Sequence, residues 1–247
     1  MSNPLHEFRS VLGKDTLAQQ AYNTIRHRIL DGTYPLGASI PRGEIAMELG
    51  MSSIPVHEAL ARLESEYLVE NIPRSGTKVR VPSAQDLRGF FMVREALESQ
   101  SARLFVRCAG EPERRNLMAT SVDVDDSRRR IHAMEESEQR QKLVTWRFLH
   151  MRFHRQIAEC AGLPMLVEAV ERNQLLVFNR LYEQSYGDLQ LPENWHQHLA
   201  AALCGTSEKI ADSQMRKHLK TRLDDLLGCL ERILAEGVPK NGTNTHG

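Results

Sequence analysis

Residues 45–81, IAMELGMSSIPVHEALARLESEYLVENIPRSGTKVRV, decide how the first part of this chain folds. Ile45, Ala46 and Leu49 form one apolar stripe, and Gly50 supplies the left-handed residue with which helices commonly end. Ser52 stands where an N-cap belongs. Pro55 falls in the first turn of the next helix, where its missing N–H removes no hydrogen bond. Val56, Leu60 and Leu63 recur at helical spacing, so that face is expected to be buried while His57, Ala61 and Glu64 meet solvent. From Asn71 to Val81, polar and apolar residues alternate around Ser75-Gly76, as in a two-stranded wing. Two helices joined in this way, the second presenting its N-terminus outward, are how many proteins enter a DNA major groove.

Outward from this stretch, Leu17, Ala21, Ile25 and Ile29 sit at helical spacing between Asp15 and Asp31. The segment from Gly32 to Gly37 carries turn chemistry. Pro82-Ser83 marks a boundary, with Ser83 placed to cap the next helix. Beyond it the chain reads as helix in segments near 84–108, 111–138, 141–161, 163–186, 193–205 and 207–235. The expected organisation is a loose tail over 1–14, a winged helix-turn-helix over 15–82, an all-helical bundle over 83–236 and a polar tail over 237–247. The fold class is mainly α with one small β-wing.

The 247 residues are 41% hydrophobic and 26% charged, enough apolar material for a core. No apolar run reaches membrane-spanning length, and MSNPLHEFRS lacks the apolar centre of a signal peptide, so a cytoplasmic protein is expected. Cys108, Cys160, Cys204 and Cys229 make no CxxC pair and read as free thiols of a reducing compartment. Charge is balanced, at 32 basic against 32 acidic residues. Between Asp15 and Pro82 the bases Arg26, Arg28, Arg42, Arg62, Arg74, Lys78 and Arg80 face eight acids, Asp15, Asp31, Glu44, Glu48, Glu58, Glu64, Glu66 and Glu70. Phosphate neutralisation supplies much of any nucleic-acid affinity, so this segment is no strong indiscriminate binder. Its affinity must come from placement, chiefly in the wing, and from dimerisation.

The order of these pieces resembles a known family. A helix is followed by DGTYPLGASIP (31–41), a second helix, the motif LG-x-S-x-x-PV-x-EAL-x-RLE (49–64) and the wing IPRSGTKV (72–79). This arrangement resembles the GntR family of bacterial transcription regulators, and the helical remainder resembles that family's FadR-type (FCD) ligand-sensing domain. The likeness covers residues 15 to about 235. It implies a homodimer on a short palindromic DNA operator that releases or rearranges when a small metabolite enters the C-terminal domain. In the family the reading helix carries arginines at positions that here hold Ser53 and His57. A guanidinium bridges guanine O6 and N7 with two hydrogen bonds and these side chains do not, so a different operator is expected. Ser52, Ser53, Ile54 and His57 are the base-edge candidates. Arg62, Arg74, Ser75, Gly76 and Lys78 are candidates for the DNA backbone or minor groove, and Arg42 completes the set.

His150 and His154, in WRFLHMRFH (146–154), project from one helix face a turn apart, a chelating geometry. In metal-binding FadR-type domains an Asp-x-x-x-His pair and two later histidines line the cavity. The resemblance places His154, His196 and His218 on the three histidine positions and His150 where the aspartate belongs. Imidazole suits Zn²⁺, Ni²⁺ or Cu²⁺ better than Mg²⁺ or Ca²⁺, so Zn²⁺ or Ni²⁺ is expected. Four neutral ligands leave a divalent ion its full charge, which weakens metal binding and strengthens attraction for an anion. Arg94, in VREALE (93–98), matches an arginine common in these domains; it either reaches the carboxylate of a small acid effector or pairs within the bundle. His132 and His198 read as hydrogen-bonded core histidines.

Two rival functions use the same histidines. A metalloenzyme would activate water at an open position, but HMRFH lacks the glutamate that HExxH supplies as general base, and Glu159 forms no recognisable acid/base pair. A regulator that senses the metal itself needs no organic ligand. A non-enzymatic regulator answering to a carboxylate metabolite is the leading expectation.

Overall fold

The computed structural model describes residues 15–173 and 192–236. They form two compact units, one ending at Val81 and the other beginning at Pro82. The expected tails (1–14 and 237–247) and the latter part of the expected 163–186 helix lie outside the described residues.

The first unit contains α1 (Leu17–Asp31), α2 (Arg42–Glu48), α3 (Ser53–Ser65), β1 (Val69–Ile72) and β2 (Gly76–Val79). Thr16 caps α1, its hydroxyl accepting the Gln19 N–H at 3.1 Å. Ala21, Ile25 and Ile29 are buried as their spacing requires, whereas Leu17, in the first turn, stays exposed. Helix α1 packs on α3, whose Val56, Ala59, Leu60 and Leu63 are buried. Gly50 joins α2 to α3 at φ 62°, the left-handed conformation a glycine adopts without steric cost.

The wing starts two residues earlier than the alternation suggests. Leu68 and Val69 are buried and carry the core directly out of α3, so the antiparallel ladder opens at Val69↔Val79 and closes at Ile72↔Gly76. Arg74 (φ 66°) and Gly76 (φ 81°) turn the chain. The segment after the first turn does more than turn. Gly37 and Ile40 donate N–H bonds to Val79 and Thr77, and Val79 donates back to Ala38. The second edge of β2 is thereby paired and the wing is held on the core.

The second unit contains α4 (Ala84–Cys108), α5 (Glu111–His132), α6 (Glu136–Glu159), α7 (Pro164–Asn173), α8 (Trp195–Leu203) and α9 (Glu208–Glu236). Ser83 caps α4 in a reciprocal box with Asp86: the Asp86 N–H donates to Ser83 Oγ at 3.0 Å and the Ser83 N–H to Asp86 Oδ2 at 2.9 Å. The break between α5 and α6 comes several residues before the one expected. No Gly or Pro marks it; the chain turns through i→i−3 bonds from Ala133 and Met134. Helix α9 lies along α4, α5 packs on α6, and α8 touches α4, α5 and α9.

Helices α4, α5, α6 and α9 each bury a stripe that changes chemistry part-way. On α4 it runs Leu87, Phe91, Arg94, Glu98, Ala102, Phe105; on α9 it runs Ala211, Met215, His218, Arg222, Leu226, Leu230. Helix α5 places Asp125 and Arg128 after Leu117 and Val124, and α6 places His150 and His154 among Trp146, Phe153 and Ile157. Burial of lone charged and imidazole groups is unfavourable unless they meet partners, and here they converge in one polar layer.

Candidate nucleic-acid interface and metal centre

In the first unit, the outward face of α3 is formed by Ser53, Ile54, His57, Glu58 and Ala61, all exposed. Ser52 occupies the N-cap with extended backbone, but its side chain makes no capping hydrogen bond, leaving the hydroxyl free of the helix. Arg74 and Ser75 stand exposed at the wing tip, and Lys78 is half-buried on β2. Arg42 reaches the same tip from α2: a Cβ on Gly76 would lie 3.6 Å from its Nη2. Arg62 behaves differently. Its guanidinium lies over the Tyr22 ring at 3.8 Å, donates through Nη1 to Gln19 Oε1 at 2.8 Å and through Nε to Glu66 Oε1 at 3.2 Å. Those contacts tie α3 to α1.

In the second unit, His150, His154, His196 and His218 are all buried, and one nitrogen from each lies within 4.8 Å of the others. His150 and His154 bring their Nε2 atoms to 3.1 Å. Two nitrogens on one tetrahedral zinc at about 2.0–2.1 Å would stand about 3.3–3.4 Å apart, close to this spacing. Trp195 stacks on the His218 ring at 3.8 Å and Trp146 on that of His150 at 5.1 Å, which fixes the ring planes.

Two carboxylates that the sequence reading passed over stand behind the histidines. The Nδ1–H of His196 donates to Asp125 Oδ1 at 2.7 Å, which turns its Nε2 inward. Asp125 also accepts the backbone N–H groups of His196 and Gln197 at 3.2 and 3.1 Å, so one carboxylate from α5 both caps α8 and orients its histidine. His154 Nδ1 lies 2.6 Å from Glu98 Oε2. That is an ion-pair distance out of line for a straight hydrogen bond, and both atoms lack an aligned partner. The other Glu98 oxygen accepts from Arg94 Nε at 2.6 Å. Negative charge therefore stands directly behind the four-histidine cluster. Charged residues interrupting an apolar helix stripe, Glu98 with Arg94 and Asp125 with Arg128, were the signal available in the sequence for both acids.

Burial lowers His150 and His218 well below the ordinary imidazole range, helped by the neighbouring histidines and Arg94. Burial also brings His196 down to about 4 despite the opposing pull of Asp125. Burial alone would raise Glu98, but Arg94 and His154 hold it at about 2. At neutral pH His150, His196 and His218 are thus uncharged, while the Glu98 and Asp125 carboxylates behind the layer are ionised. His196 Nε2 and His218 Nδ1 are buried without any hydrogen-bond partner. Such orphaned atoms are costly in a dry core, and a metal ion held between them would satisfy them. The donor set fits that group.

Arg94 is buried and paired with Glu98. Arg222, donating to Asp225 at 2.8 Å, and Arg128, over the Trp146 ring at 5.1 Å, bring two more guanidiniums to the same layer. Burial depresses both, to about 10 for Arg222 and about 9 for Arg128. His198 departs from the expected core role: it is exposed, because α8 turns His196 inward and its neighbour two residues on faces away. The side chain of His132 lies outside the described residues. The four cysteines are free thiols, and no helix among the described residues is long and apolar enough to cross a membrane.

Comparisons with known proteins agree with this architecture. The profile of the GntR family of bacterial regulatory proteins matches residues 17–79, and that of the FCD domain matches residues 90–221. A regulator from Agrobacterium vitis, described as an uncharacterized HTH-type transcriptional regulator in the TAR-I ttuE-ttuC' intergenic region, is 33% identical over 142 residues, covering 58% of this chain and 79% of its own. The HTH-type transcriptional repressor RspR of Escherichia coli is 23% identical over 205 residues, 82% of this chain and 85% of its own. A solved GntR transcriptional regulator from Rhodococcus sp. RHA1 shares the fold with a TM-score of 0.67 at 20% identity, covering 85% of this chain and 97% of its own. With a winged helix-turn-helix matching one profile and more than half of the chain matching the other, the protein belongs to the GntR family and is a DNA-binding transcription regulator of the FCD type.

Proposed function

We propose that operator binding by the winged unit answers to a small carboxylate held at a metal in the helical unit, and that the protein acts as a homodimer rather than as an enzyme. The observation carrying the metal part is the pair of orphaned buried nitrogens, His196 Nε2 and His218 Nδ1, facing the His150–His154 pair. His150, His154, His196 and His218 would hold the ion, with Glu98 and Asp125 orienting two of them. The bound ion would supply Lewis acidity toward a carboxylate oxygen. Four nitrogens saturate a tetrahedral ion, so an organic acid requires an ion that accepts a fifth or sixth ligand; Ni²⁺, or Zn²⁺ expanded to five-coordination, meets this. Arg94, with Arg222 and Arg128 in the same layer, supplies positive charge toward the acid. A ligand moves DNA affinity only by binding one arrangement of the protein better than another.

On the DNA side, Ser52, Ser53, Ile54 and His57 present to base edges and Arg42, Arg74, Ser75, Gly76 and Lys78 to phosphates or the minor groove. Arg62 serves the fold. The test is a fluorescence titration of a selected operator with metal-free protein, with Zn²⁺- or Ni²⁺-loaded protein, and with loaded protein plus small mono- and dicarboxylates. Loading followed by an acid-dependent change in operator affinity is expected. A response to metal alone, unaltered by every acid, would instead support a direct metal sensor, the reading that saturation by four histidines favours. Turnover of an acid by loaded protein would establish the enzyme reading.

A further inference from the structure

Helix α3 lacks a guanidinium on its outward face but carries a large apolar side chain where its N-terminus is presented. Ile54 is 67% exposed. It shares its helix face with His57, Glu58 and Ala61, all exposed, and follows Ser52 and Ser53, whose hydroxyls are short and unencumbered. The nearest cation on the helix, Arg62, is committed to Tyr22, Gln19 and Glu66. In the major groove, guanine presents two acceptors and cytosine a donor, which a sec-butyl group cannot satisfy; thymine alone presents a methyl group. A β-branched side chain is stiff about χ1, so Ile54 loses little freedom on contact and removes its own apolar surface from water as well as the methyl's.

We propose that Ile54 reads a thymine C5-methyl group in each half of the operator, so that recognition by this chain centres on a thymine rather than on a guanine. This rests on α3 being the DNA-reading helix. Thymine and uracil pair identically and differ only in that methyl group, which isolates the contact. The full-length protein is used to select an operator from a random duplex library, and each thymine is then replaced in turn by deoxyuridine. One thymine per half-site is expected at which replacement weakens binding about fourfold, and about fifteenfold when both half-sites are changed. Ile54→Ala should melt like the wild type, since the side chain is exposed, and should bind thymine and uracil operators equally. If Ile54→Ala loses all binding, Ile54→Val must show a smaller thymine-to-uracil ratio than the wild type. The proposal is overturned if every replacement changes wild-type affinity by less than twofold, or if the variants keep the wild-type ratio. Selection of no operator at all would overturn the reading of α3 itself, a different result from an operator indifferent to the methyl.

Discussion

Acidifying the metal-free protein should destabilise the helical unit from about pH 6.5 downward, well before ordinary carboxylates titrate. His196 titrates at about 4 in the folded chain, against about 6.5 in an unfolded one. Its folded value is depressed, so below the unfolded value the unfolded chain binds the proton that the folded chain refuses. Stability therefore falls as pH drops from about 6.5 toward 4 and is unaffected by this group at higher pH. The full gap corresponds to about 3.4 kcal/mol. At pH 5 the unfolded imidazole is almost wholly protonated and folded His196 only about a tenth, a loss of about 2 kcal/mol. His150 and His218 are lowered too, with burial again the leading cause, and push in the same direction. For a unit of this size 2 kcal/mol is about 4–8 °C in melting temperature. Melts of chelator-treated protein at pH 7.5, 6.5, 5.5 and 5.0 measure it. Zn²⁺ or Ni²⁺ at a hundred times its dissociation constant should add about 2.7 kcal/mol near neutral pH, and protons should compete this away. A melting temperature flat or rising between pH 7.5 and 5.0 would refute the uncharged, buried state of His150, His196 and His218 on which the metal centre depends.

Other outcomes follow from single contacts. Glu98→Gln removes the charge that balances Arg94 and backs His154; metal affinity should drop about 10–100-fold by titration, with destabilisation of about 3–5 kcal/mol by denaturant melts because Arg94 is left buried and unpaired. His154→Ala should abolish stoichiometric metal, measured by elemental analysis, while the winged unit keeps its fold. His57→Arg restores a bidentate base reader on an exposed face, so operators selected by the variant should gain a guanine worth about 1–3 kcal/mol, with thermal stability unchanged. Arg62→Ala should cost the first unit about 1 kcal/mol through lost cation–π and surface contacts and leave the salt slope of operator binding intact; a slope reduced by about one would return Arg62 to the phosphate contacts.

Much of the fold was open to reading along the chain because local rules sufficed. Gly50, Pro55 and the Val56–Leu60–Leu63 stripe place the helix-turn-helix, and Pro82-Ser83 marks where the second unit begins, since caps and periodicity act within a few residues. Legibility failed where the signal was non-local or missing. The α5–α6 break has neither Gly nor Pro, and the start of the wing depends on Leu68 and Val69 finding the core beneath them.

The histidines divide along the same line. Spacing alone puts His150 and His154 on one face, and the family resemblance adds His196 and His218. That Glu98 and Asp125 stand behind them and that Arg62 turns back to α1 were decided by tertiary structure. Each depends on which helices pack together and at what height, and such contacts join residues dozens of positions apart, beyond the reach of any periodicity in the chain.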